Sequence, residues 1–313
     1  MNTKRAVHTA IVTGPTGAVG TALCGRLAAR GIRVYAVLRP GTLRGKHLRK
    51  TPGVEVLECD AAQLDMLPRR IPGADAFFHL AWRETAGAGR NDMLAQVENI
   101  RHTLGACRAA AALGCRVFVG AGSQAEYGRV NAPLTPETPC FPENGYGMAK
   151  LCAGQMSRLE CEKLGLDHIW PRVLSVYGPF DGENAMIPKV IRTLLAGQRP
   201  ALTPGEQVWD YLYADDAGEA LCRLAESGRS GAVYPLGSGK ARPLREYVEL
   251  LRDAIDPTLP LGFGEVPYGD GQVMHLEADI TALWADTGYK PETDFREGIR
   301  QTIEHIRGRQ CVG

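Results

Sequence analysis

Tyr146 and Lys150 lie four residues apart in the segment NGYGMAK, so a helix through them would present a phenol and an ammonium on one face. A phenol releases its proton near ~10 in water, too high for proton transfer at neutral pH, and a neighbouring ammonium favours the phenolate. Such a pair can move a proton. Upstream, TGPTGAVG occupies residues 13–20 and places glycines at Gly14, Gly17 and Gly20. Lacking side chains, these let the backbone approach a pyrophosphate at a helix N-terminus, where unpaired amide donors and the helix dipole favour negative charge. Thr16, Ala18 and Val19 fall in the same loop and are expected to share its contacts. The spacing differs from the common GxGxxG, but the loop follows an apolar run at 7–12 and opens a helical pattern, the context a dinucleotide-binding turn requires. The two segments occur in the order that makes each support the other.

The elements that must position these residues alternate along the first half of the chain. Strand patterns fall at 9–12, 33–38, 54–58, 76–80 and 117–119, with helical stretches such as 92–113 between them and Gly31 and Gly114 as helix terminators. This predicts an α/β fold, a doubly wound parallel sheet covered by helices on both faces. The sheet domain is assigned to 1–170, with 206–230 returning to it. After about Pro171 the alternation loosens and proline and glycine rise, as in PALTPGEQ and LPLGFGEVPYGDG. That suggests a smaller C-terminal α/β lobe from 171–205 and 231–313, with ligands in the cleft at the carboxyl ends of the strands.

A chain of 313 residues with 44% hydrophobic composition can bury a sizeable core. Its 36 basic and 35 acidic residues leave a formal charge of +1, so no long-range field favours nucleic acid or an anionic membrane. The nine cysteines include no CxxC and suit reduced thiols in cytoplasm. The opening MNTKR and the short run after it read neither as a signal peptide nor as a spanning helix, and no metal site is expected.

Further segments join the glycine loop and the Tyr146/Lys150 pair: HLAW at 79–82, Asn99 in the next helix, GSQAEYG at 122–128, PRVLSVYGP at 171–179, WDYLYADD at 209–216 and VYPLGSG at 233–239. The ordered set resembles the extended short-chain dehydrogenases/reductases, which act mostly on nucleotide sugars, over nearly the whole chain. The resemblance implies a Rossmann domain, with Ser123, Tyr146 and Lys150 as catalytic serine, tyrosine and lysine. It also implies cofactor contacts at Leu80, Ala81, Asn99, Tyr146, Lys150, Arg172 and Val173, and Asp60 beside the adenine. His79 is expected near the cofactor with a structural role.

In ketone reduction a nicotinamide delivers hydride to carbon while an acid protonates the developing alkoxide. Tyr146 would be that acid, Lys150 would tune it, and the Ser123 hydroxyl would orient the substrate oxygen. Cofactor choice rests on the end of the second strand, where an acidic residue would bind a ribose diol; Arg39 stands there, and with Arg44 or Lys46 it can pair with a 2′-phosphate. NADP(H) is therefore expected, with NAD as the alternative.

Departures from the family patterns narrow the reaction. The family's 4,6-dehydratases place an aspartate and a glutamate after the catalytic serine or threonine; here Gln124 and Ala125 occupy those places, so dehydration is not expected. Where 4-epimerases carry an asparagine and an arginine on the nucleotide pyrophosphate, this chain has Ser175 and Trp209. Trp82, Gln124, Glu126, Ser175, Lys189, Trp209 and His275 are the candidate substrate contacts. GSQAEYG and WDYLYADD resemble most the ketoreductases that finish CDP-linked paratose and abequose. The expected function is NADPH-dependent reduction of a 4-keto-6-deoxyhexose nucleotide for surface polysaccharide. A nucleotide-sugar 4-epimerase with tightly bound NAD and a non-catalytic NADP(H) sensor are the alternatives. Apolar residues on more than one face of the helical segments 92–113 and 146–164 suggest a homodimer.

Overall fold

The computed structural model describes residues 4–310; residues 1–3 and 311–313, Cys311 among them, lie outside it. The chain opens with β1 (Thr9–Thr13), α1 (Ala18–Ala29), β2 (Arg33–Leu38), β3 (Val54–Glu58), β4 (Ala76–His79), α2 (Met93–Ala112), β5 (Val117–Gly120), β6 (Gly122–Ser123), α3 (Gly145–Leu164) and β7 (Asp167–Val173). It continues with β8 (Ser175–Tyr177), α4 (Met186–Leu195), β9 (Ala201–Leu202), β10 (Val208–Trp209), β11 (Tyr211–Tyr213), α5 (Ala214–Ser227) and β12 (Ala232–Leu236). The last elements are β13 (Arg242–Pro243), α6 (Leu244–Asp253), β14 (Gly262–Phe263), α7 (Thr281–Thr287) and α8 (Phe295–Gln310).

The main sheet is parallel and runs β3-β2-β1-β4-β5-β7-β12, with β6 attached to β7. Its strand order reverses between β1 and β4, the switch point at which a doubly wound sheet opens a crevice for ligands. Alternation along the strands divides the core. Ala10, Val12, Phe78, Val117 and Val119 pack with Leu23, Leu27, Leu221 and Leu224 on one face. Ile11, Phe77 and Phe118 pack with Ala106, Cys107, Ala110 and Cys161 on the other. Both faces are therefore covered by helices, as the near-continuous apolar strands require.

Two boundaries differ from the sequence reading. The strand β12 falls in the segment assigned to the smaller lobe, yet it pairs with β7 and closes the main sheet, because its buried Tyr234 and Leu236 belong to the same core as α5. Leu283 on α7 joins that core too. The lobe proper has its own core, in which Ile187, Val190, Ile191 and Leu194 of α4 meet Val248 and Leu251 of α6 and Ile299, Ile303 and Ile306 of α8. Asp210 ties the lobe to the sheet. Fully buried, it accepts from the backbone N–H groups of Ser238, Gly239 and Ala278 and from the Ser238 hydroxyl.

Candidate active site

The helix α1 begins at Gly17, whose extended backbone offers no side-chain cap, so the first-turn amides are left to a ligand. The three glycines serve different ends. A Cβ on Gly14, which also adopts φ +69°, would meet the Ala81 nitrogen at 2.7 Å, and one on Gly20 would run into the Gly14 carbonyl. Those two close the turn. A Cβ on Gly17 would meet nothing within 4 Å, because that side faces the cleft. The residues fit a dinucleotide whose phosphates need that space.

A cleft of about 390 Å³ gathers Gly14, Thr16, Gly17, Arg39, Asp60, Leu80, Ala81, Trp82 and Asn99, all candidate contacts, at the carboxyl ends of β1, β2, β3 and β4. Ala18, Val19 and Gly20 follow on the first turn of α1. Arg44 lines the cleft as well, and its guanidinium donates to the Thr16 carbonyl at 3.2 Å. The carboxylate of Asp60 caps the turn that follows it and pairs with Arg83 at 2.9 Å. Asn99 is buried and bonds both the N–H and the carbonyl of Arg83, fixing the loop after β4. Sequence reasoning missed Arg83 and His102 in this wall, since neither belongs to a recognisable spacing. His79 holds the Thr13 hydroxyl at 3.0 Å through Nδ1, and burial pushes its pKa down to about 3, so it is a neutral structural group.

Ser123 at the end of β6 neighbours the phenol of Tyr146 on the first turn of α3, and Lys150 stands one turn further along α3. Asn144 caps that helix through the Gly147 N–H at 2.9 Å and sets its start. The ammonium of Lys150 is buried. It donates to the Ala121 carbonyl at 2.7 Å and lies 3.6 Å from the centre of the Trp82 ring. Trp82 is in turn held by Gln96, which accepts its indole N–H at 2.9 Å, and it meets the Tyr146 ring edge-on.

Burial dominates the electrostatics of both Tyr146 and Lys150. Burial pushes Lys150 down to about 7, with the Glu126 carboxylate acting against it. Burial also raises Tyr146, and the opposing influences are the Ser123 hydroxyl and the guanidinium of Arg90. Two cations therefore flank the phenol ring, the Arg90 guanidinium at 4.4 Å and the Lys150 ammonium at 5.8 Å from its centre. No sequence signal marked Arg90, because it approaches from the short turn Gly87–Asn91 rather than from the helix face of Tyr146.

Two candidate contacts are corrected by burial. Glu126 is fully buried and accepts from the Ser123 N–H at 2.8 Å, from the Trp170 indole at 3.0 Å and from Arg172 at 2.6 Å, so its carboxylate does not face a substrate. The Arg172 guanidinium is spent in that ion pair and on the ring of Tyr127, 4.4 Å away, not on a cofactor. Val173 follows it, half-buried at the end of β7. Gln124 heads the short turn after Ser123, half-buried. On the lobe side, Trp209 donates to the Ser175 hydroxyl at 2.8 Å. His275 pairs with Glu277 at 3.1 Å and Lys189 is exposed on α4; neither shares a hydrogen bond or ring contact with the Ser123, Tyr146 and Lys150 group. Among the described residues no cluster of His, Cys, Asp or Glu could hold a metal ion, and no helix is long and apolar enough to cross a membrane.

Comparison with known proteins agrees with this geometry. The model of the NAD dependent epimerase/dehydratase family matches residues 10–237. UDP-glucose 4-epimerase 4 of Oryza sativa subsp. japonica is 26% identical over 338 residues, covering 96% of this chain and 88% of the relative. A dTDP-glucose 4,6-dehydratase of Mycobacterium tuberculosis is 29% identical over 178 residues, covering 56% of this chain and 54% of its own. The fold matches that of a UDP-N-acetylglucosamine 4-epimerase from Methanobrevibacter ruminantium M1, solved with UDP-N-acetylmuramic acid, at a TM-score of 0.87 and 24% identity, over 99% of this chain and 100% of the other.

Proposed function

The chain belongs to the NAD-dependent epimerase/dehydratase family, and we propose that within it the protein reduces a nucleotide-linked 4-keto-6-deoxy sugar with NADPH. The observation that carries this reading is the bond between Trp209 and Ser175. These residues stand where the family's 4-epimerases anchor the substrate pyrophosphate, and an epimerase must hold its nucleotide firmly while the keto sugar turns over. An indole committed to a serine hydroxyl cannot neutralise phosphate as a forked guanidinium does. Gln124 and Ala125 offer no carboxyl group for elimination, which sets aside a dehydratase.

Phosphorylated nicotinamide follows from Arg39. It is exposed at the end of β2, makes no ion pair among the described residues, and shares the cleft wall with Arg44, whereas Asp60 is engaged by Arg83. When bound, the nicotinamide supplies the hydride. The chain's own residues do the rest: Tyr146 gives its proton to the substrate oxygen, Ser123 orients that oxygen, and Lys150 holds the nicotinamide side of the helix. Burial keeps the Tyr146 hydroxyl protonated near neutral pH, the state that a reductase's acid requires. A panel of 4-keto deoxy sugars linked to CDP, dTDP, GDP and UDP, offered with NADPH, tests the reading.

A second reading, 4-epimerisation with retained NAD, is favoured by the full-length likeness to UDP-glucose 4-epimerase. The two differ in cofactor release. We also propose a homodimer through α2 and α3, where Leu94 and Leu159 are 80% and 57% exposed, Met148 and Met156 are exposed too, and Phe141 in the loop before α3 is 81% exposed. A light-scattering mass of one chain at micromolar concentration would refute it.

A further inference from the structure

We infer that Glu126, clamped by Arg172 and Trp170, is a positioning residue that holds the Ser123 hydroxyl in place for the reaction proposed above, on which this inference rests. Ser123 has a single side-chain rotor, so its oxygen is placed by its backbone together with the one bond that holds the rotamer, from the Ala125 N–H. That backbone is gripped twice. On one edge β6 pairs with β7, Ser123 against Val173. On the other, Oε1 of Glu126 accepts the Ser123 N–H at 2.8 Å while the Ser123 hydroxyl accepts the Ala125 N–H at 3.2 Å, a reciprocal capping box around one short turn.

The carboxylate itself has no freedom. Its Oε2 takes the Nε–H of Arg172 at 2.6 Å, and the Trp170 indole donates to Oε1 at 3.0 Å. Both donors lie on β7, the strand that β6 pairs with, so one rigid element fixes the serine through the sheet and through the carboxylate. Gly122 leaves room for this approach, since a Cβ there would meet Oε1 at 2.6 Å as well as the Trp170 ring. The charge also reaches the reacting groups: Glu126 biases both Tyr146 and Lys150 toward their protonated forms. An uncompensated carboxylate at that depth would be costly, and a buried ion pair is poor evidence of net stabilisation, so the role that remains for this one is the geometry it imposes on Ser123.

A double-mutant cycle separates positioning from mere stability. Glu126→Gln and Ser123→Ala are made singly and together, and kcat, KM and nicotinamide affinity are measured for each. The expected result is a kcat loss of about tenfold to a hundredfold in Glu126→Gln, nicotinamide affinity within about twofold of wild type, and no further loss when Ser123→Ala is added. Glu126→Gln/Arg172→Met removes both charges at nearly constant volume and serves as the variant that keeps the fold; it should show the same non-additive loss. Wild-type kcat in either folded variant, or losses that multiply with Ser123→Ala, overturns the inference. If wild type turns over no keto-sugar nucleotide, the proposed reaction fails instead. The positioning role is then decided by a crystal structure of Glu126→Gln, which supports it if the Ser123 hydroxyl has moved and contradicts it if that oxygen is in place.

Discussion

Trp209 at the end of β10 and Ser175 at the start of β8 are bonded to each other, at 2.8 Å from indole nitrogen to hydroxyl oxygen, and their side chains are half-buried at the lobe junction. The junction is therefore aromatic rather than cationic. Trp209→Phe keeps the ring and loses only the bond to Ser175, so KM for the keto-sugar nucleotide should change by less than about threefold. Trp209→Ala removes the stacking surface and should raise KM by about tenfold, roughly 1.4 kcal/mol, with kcat nearly unchanged. Steady-state kinetics of the two variants provide the check, and equal effects would mean that the indole N–H, not the ring, is what matters.

Tyr146→Phe should lower kcat by at least about a hundredfold while nicotinamide affinity stays close to wild type, because the ring and its contact with Trp82 remain and only the proton is lost. Single-turnover measurement with reduced cofactor is the test. Retention of more than about a tenth of the rate would assign the acid elsewhere.

Arg90 is the cation that opposes burial at Tyr146, so Arg90→Ala should move the phenol further up. In the proposed reduction the alkaline limb of the pH profile, where rate falls as the tyrosine loses its proton, should shift to higher pH. A limb that stays in place would show that Arg90 only packs on the ring.

Lys150 links pH to stability. Its folded-state pKa of about 7 lies below the ordinary lysine value of 10.5, so the unfolded chain binds more protons between those values. Stability should therefore rise as pH increases from 7 toward 10.5, and the full penalty is present below 7. Lys150→Met should stabilise the cofactor-free protein at pH 6, by on the order of 2 kcal/mol after allowing for the lost Ala121 and Trp82 contacts. The gain should vanish near pH 10.5. Denaturant midpoints at several pH values measure it, and a pH-independent difference would contradict the burial account.

Arg39→Ala should weaken NADPH by roughly 1.5 to 3 kcal/mol and leave NADH almost unchanged, since only one of the two carries the 2′-phosphate. Titration of both cofactors into both proteins decides it; an equal loss would make Arg39 structural.

What the sequence made legible is what is local. The glycine turn, the strand before it and the Tyr146/Lys150 spacing are each written within a few residues: the turn follows β1 and lines the cleft, and the pair sits on one turn of α3. The partners were not legible. Glu126 and Arg172 are 46 residues apart, and nothing in either neighbourhood says that β6 and β7 pair. A glutamate beside a catalytic serine invites a substrate role until its burial is seen. The spacing of Lys150 and Tyr146 gave no sign that the ammonium also meets the aromatic face of Trp82 and the carbonyl of Ala121. The short strand β12 reads as part of the lobe because its run AVYPL contains a proline, which the edge of the sheet tolerates.

The central claim is net reduction with an exchanging phosphorylated cofactor, and one measurement addresses it directly. Purified protein is incubated with NADPH and a 4-keto-6-deoxy sugar nucleotide while nicotinamide absorbance and product are followed together. One NADPH should be oxidised for each 4-hydroxy sugar formed, in protein purified without bound NAD. Tightly held NAD, with two 4-hydroxy sugars interconverting and no net change in absorbance, would contradict it.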